Sequence, residues 1–109
     1  MTDDQLQTIG ILERFITMRA ISKVYIQHSL MEVLCDAQMI WAFKHIRKRM
    51  PENKHDVLIK ELETIVEECR VYFEKNGVPP KIDDYKSHIP LQTTLRLKDF
   101  VIRNNFSMI

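Results

Sequence analysis

Pro51–Gly77 reads "PENKHDVLIKELETIVEECRVYFEKNG", and this run decides the fold class. Leu58, Leu62, Ile65, Cys69 and Tyr72 follow one another at 4-3-4-3 spacing, which is the step of a single helical face. Glu61, Glu63, Glu67 and Glu68 take the other side, so the helix is apolar on one face and acidic on another. Asn53 is placed to cap the start, with Asp56 in the first turn at the positive end of the helix dipole. At the other end Asn76-Gly77 supplies a left-handed cap, and Pro79 forbids continuation. One amphipathic helix follows. Its five-residue seam is the candidate protein-binding face, unless it packs inside the same chain as such stripes do in bundles.

Outward toward the N-terminus, Thr2 and Gln5 form a capping box, and Asp3 and Asp4 suit the first turn of a helix. From there to Met50 the chain has no proline and only Gly10. A single helix of that length would be roughly 70 Å long at 1.5 Å per residue. A compact domain of this size has a radius of gyration near ~13 Å. Ser29 followed by Glu32 offers a second capping box, which predicts two helices, about 3–26 and 29–49. Leu6, Ile9, Leu12, Ile16 and Val24 line one face of the first, with Ile11, Phe15, Met18 and Tyr25 opposite. In the second, Met31, Cys35, Met39, Ala42 and Ile46 share a stripe while Val33, Ile40 and Phe43 point elsewhere. A helix apolar all round must be buried all round, so a second chain is expected to cover part of this surface.

Toward the C-terminus, "KIDDYKSHI" reads as a short helix, and Pro90 suits the first position of another running to about Asn104. Leu91, Leu95, Ile102 and Phe106 share a helical stripe there, although "TLRLK" also alternates like a strand. The expected fold is all-α: one helical domain over residues 1–109, a small bundle of four to five helices. Composition agrees. Apolar residues at 45% and charged residues at 28% suit a globular chain, and 2 Gly with 4 Pro are too few for strands and turns.

Most catalytic chemistry lacks its residues. Glu52 and His55 form an E-x-x-H, but a di-iron bundle needs two copies plus two further glutamates. Cys35 and Cys69 stand 34 positions apart with acidic neighbours, which raise a thiol pKa and suit packing better than attack. His28, His45, His55 and His88 have no triad or zinc spacing, and Asp84 with His88 reads as a surface contact. No glycine-rich phosphate loop can be built. No catalytic, cofactor or metal residue is assigned, and no small-molecule substrate is expected. Met18, Met31, Met39 and Met50 could form an adaptable face, though core is the commoner fate.

The formal charge of +1 hides an alternation: net −2 over residues 1–36, +4 over 37–55, −3 over 56–75 and +2 over 76–109. Blocks of this kind pair within a fold or between protomers. Lys44, Arg47, Lys48, Arg49 and Lys54 concentrate at one helix end, as phosphate neutralisation requires and as helix dipoles also favour. No aromatic residue is interleaved with them, which counts against a single-strand reading.

The layout after Leu58 bears on the same question. A helix, then "KNGVPPKIDDYKSHI", then a helix ending in "RNNFSMI", resembles the winged helix-turn-helix domains of SOS-response repressors over about Leu58–Ile109. The resemblance implies a reading helix from "PLQTTLRLK" with Arg96, Lys98 and Arg103 as its cations, and it departs from the pattern in leaving only "FSMI" for a wing. A plain helical corner explains the same layout and is preferred. The expected function is a non-enzymatic protein–protein interaction or regulatory module that self-associates, with a homodimer as its simplest form. The alternative is a DNA-binding regulator using Lys44, Arg47, Lys48, Arg49, Lys54 and Arg96. "MTDDQ" is acidic where a signal peptide is basic, and no apolar run approaches the ~18–20 residues of a membrane span. A cytoplasmic location is expected, in a cell or in the host cell of a virus.

Overall fold

Thr2 and Gln5 close the first helix as the capping box requires. The Thr2 N–H donates to Gln5 Oε1 at 3.0 Å, and the Gln5 N–H to Thr2 Oγ1 at 3.1 Å. The computed structural model describes the backbone of residues 1–24, 29–78 and 89–109, and the side chains of 1–24, 36–78 and 89–109. Helix α1 is Asp3–Val24, α2 is Ser29–Arg49, a 3-10 turn covers Glu52–Lys54, α3 is His55–Asn76 and α4 is Leu91–Asn104. The described residues contain four α-helices and no strand. The protein is therefore an all-α bundle, and "TLRLK" is helix. The short helix expected over "KIDDYKSHI", and with it the turn of the helix-turn-helix layout, lies outside the described residues.

Helices α1 and α2 pack against each other instead of running end to end, which keeps the molecule short. Its longest dimension is 37 Å, where one continuous helix would reach roughly 70 Å. Helix α1 runs through the centre and packs against α2, α3 and α4. Ile9, Leu12 and Ile16 are buried on one side, Phe15, Ala20 and Ile21 on others, and Thr8, Thr17 and Ser22 between them. The two-sided apolarity of this helix is thus satisfied by three neighbours in the same chain. It calls for no second copy, contrary to the expectation from its pattern.

Two further local readings are corrected. Asn53 does not cap α3, because the chain leaves α2 through Pro51 and winds one 3-10 turn first. Lys54 occupies the cap position without a side-chain bond, and the His55 ring donates from Nε2 to the Met50 carbonyl at 2.7 Å. On α4 the inward residues are Thr93, Leu97, Phe100 and Val101, and of the stripe Leu91, Leu95, Ile102 and Phe106 only Phe106 is buried. The helix carries two rows on opposite sides, and the one that holds Phe100 went in. That rotation also aims Arg96 and Arg103 at Glu68 and Glu61 of α3.

Helices α3 and α4 both end on residues that favour positive φ. Gly77 closes α3 at φ 86°, its N–H donating to the Phe73 carbonyl at 2.9 Å. Asn105 closes α4 at φ 48°, ψ 45°, and the Phe106 N–H reaches back to Val101 O at 3.0 Å, which is the Schellman pattern. Phe106 then lands edge-on against Phe100, centroids 5.8 Å apart. The tail continues onto α1, where the Met108 N–H donates to the buried Thr8 hydroxyl at 2.9 Å.

Candidate functional site

The α3 seam is core. Leu58, Leu62, Ile65 and Cys69 are buried with Val66 and Phe73, so they face the chain's own interior and not an external partner. Tyr72 is exposed, its ring edge-on to Phe73. The row steps from Cys69 to Phe73 because a straight helix at about 3.6 residues per turn drifts away from a 3.5 repeat. As a docking face the seam is therefore corrected: four of its five residues are consumed inside the fold.

Cys69 sits where three helices meet. Burial pushes its thiol up to about 11, and the hydroxyls of Thr93 on α4 and Thr17 on α1 only partly oppose this. Thr17 Oγ1 is itself buried with no conventional partner. A thiol in this state is neither reachable nor ionised, so packing is the role it can fill. Side chains of residues 29–35, Cys35 among them, lie outside the described set. No cluster of three metal-ligating residues occurs among the described residues.

The basic residues separate into groups. Arg49 donates from Nη1 to the carbonyls of Ser107 at 3.0 Å and Ile109 at 2.6 Å, tying the end of α2 to the C-terminal tail. Arg96 lies 3.4 Å from Glu68, a charge pairing more than a good hydrogen bond. Lys54 is exposed on the 3-10 turn. Lys44, Arg47 and Lys48 remain together on the outside of α2, and among the described residues they make no ion pair. Trp41, about half exposed, shares their side of the helix. An aromatic ring does accompany these cations, and the spacing Trp41, Lys44, Lys48 at i, i+3, i+7 is the signal that shows it.

Two exposed apolar surfaces stand out. Ile40 and Trp41 mark one on α2. The other is the outward row of α4, Leu91, Leu95 and Ile102, exposed by 73%, 52% and 50%. Beside Ile40 a groove of about 270 Å³ runs between α1, α2 and α3, bordered by the Arg19–Asp36 ion pair at 3.1 Å. Its lining mixes Met39, Phe43 and Val66 with charges of both signs, so it presents no one ligand chemistry. Compared with protein-family models, with curated proteins and with solved structures, the chain matches none.

Proposed function

We propose that the chain is a non-enzymatic protein–protein interaction or regulatory module that self-associates, with α4 as its contact surface. One observation carries this reading: α4 is apolar on two opposite sides, and only one of them is in the core. Leu91, Leu95 and Ile102 lie at i, i+4 and i+11 on the solvent side of the helix, with the exposed Lys98 between Leu95 and Ile102. Single exposed leucines are ordinary on a protein surface, whereas a row of three on one helix face is the kind of patch that marks a contact site. The simplest occupant is a second copy, since two-fold homo-oligomers are the commonest assemblies of such chains. The row is short compared with the ~800 Å² per partner of a standard interface, which suits a weak or transient contact. The proposal carries with it a cytoplasmic location, in a cell or in the host cell of a virus; no described helix is long and apolar enough to cross a membrane.

Leu95→Glu tests the surface. Because Leu95 is half exposed, the substitution should leave thermal stability within a few degrees of the parent. Self-association should be lost. An unchanged association constant would remove α4 from the interface.

A further inference from the structure

On α2, Trp41, Lys44 and Lys48 advance along one side at i, i+3 and i+7, with Ile40 and Arg47 beside them. All five are exposed. The indole is held from behind. Phe15 packs against it with centroids 5.7 Å apart at 47°, and His45 meets it edge-on at 5.5 Å. The His45 ring is fixed in turn, donating from Nδ1 to the Trp41 carbonyl at 3.1 Å. A flat ring is thus presented outward in a set orientation beside three cations.

Those cations have no counterpart within the described fold. On helix α3, the acidic block, most carboxylates are already paired with arginines: Glu61 with Arg103, Glu68 with Arg96, and Glu67 and Glu74 with Arg70, while Asp56 and Glu63 make no ion pair with the α2 cations. Arg19 meets Asp36, and Arg49 meets backbone carbonyls. Among the described residues nothing pairs with Lys44, Arg47 and Lys48, so this face is open to an anionic ligand.

We infer that this face of α2 binds single-stranded nucleic acid, with Trp41 as the stacking platform and Lys44, Arg47 and Lys48 on the phosphates. Unpaired bases offer a flat face to the indole while their backbone supplies the negative charge, and sites of this kind tolerate many sequences. A duplex keeps its bases stacked internally and would use the cations alone. An acidic protein helix docks by laying an apolar row in a groove, and here the cations and the ring share the solvent side of one helix. The inference rests on α2 only and is independent of the α4 row.

Trp41 is the only tryptophan in the chain, so intrinsic fluorescence reads the platform directly. The probe is an oligothymidine of about twelve nucleotides, within the span of known single-strand sites. Titration at about 50 mM salt should give saturable quenching, with a log–log salt slope of about −2 for three phosphates on a single strand. The double variant Lys44→Glu, Lys48→Glu should weaken binding of labelled oligothymidine about tenfold or more. Both lysines are exposed, so the variant should keep the parent's helical circular dichroism. Trp41→Leu should weaken binding with the salt slope unchanged; if it fails to fold, the lysine pair carries the test. Absence of saturable binding, or binding without quenching, would overturn the inference. So would a duplex of equal length binding more tightly than the single strand. Polyglutamate binding as tightly as oligothymidine would also overturn it, making the face a site for acidic protein segments.

Discussion

Cys69 shows how burial decides what a residue can do. Its neighbours in sequence, Glu67 and Glu68, are exposed, and the first cause of its raised pKa is desolvation among three helices. A thiol whose folded pKa lies near 11 against an ordinary 9.0 favours folding while both states keep the proton. That contribution is complete below pH ~9 and is lost as pH rises toward ~11, because the unfolded chain releases its proton first. Stability should therefore fall by roughly 2 kcal/mol more over this range in the parent than in Cys69→Ala, measured by urea unfolding. In a Cys35→Ser background the native protein should label with a thiol reagent far more slowly than in denaturant; equal rates would contradict the burial. The neighbouring seam divides the same way. Leu62→Ala or Ile65→Ala should cost about 2–5 kcal/mol by leaving a cavity, and Tyr72→Ala, at an exposed position, under about 1 kcal/mol.

At the scale of the element, helix ends were more legible than helix rotations. The capping box at Thr2 and Gln5 forms as its spacing implies, and Gly77 and Asn104-Asn105 stop their helices, because these are local events set by two or three residues. Asn105→Val should destabilise by about 1–2 kcal/mol, since a β-branched side chain resists the left-handed backbone, whereas Asn105→Gly should be close to neutral. Equal stability of the two variants would show that the cap carries no strain. Rotation is a different matter. Leu91, Leu95 and Ile102 form as good a row as Thr93, Leu97, Phe100 and Val101, and only the positions of α1 and α3 choose between them. The start of α3 failed for a related reason: Pro51 sets up a 3-10 turn whose presence depends on how the end of α2 is held, through Met50 and the His55 ring. The same limit applied to the candidate sites. The α3 seam was legible as an apolar face but not as an inward one, and Trp41 joined the cations only once α2 had a defined outside.

As a whole, the molecule measures 37 × 26 × 20 Å, with α1 central and the other helices around it. Two ion pairs join α3 to α4, and among the described residues a basic face on α2 and an apolar row on α4 stay without a counterpart. Surplus apolar surface of this kind suits a contact site, and the proposed occupant is a second copy. The most direct test is the mass of the purified protein by light scattering, followed from low to high micromolar concentration. If the chain self-associates through α4, the mass climbs from the 13.0 kDa of one chain toward twice that value or more, and stays at 13.0 kDa in Leu95→Glu. A parent protein fixed at 13.0 kDa across the whole range would contradict it.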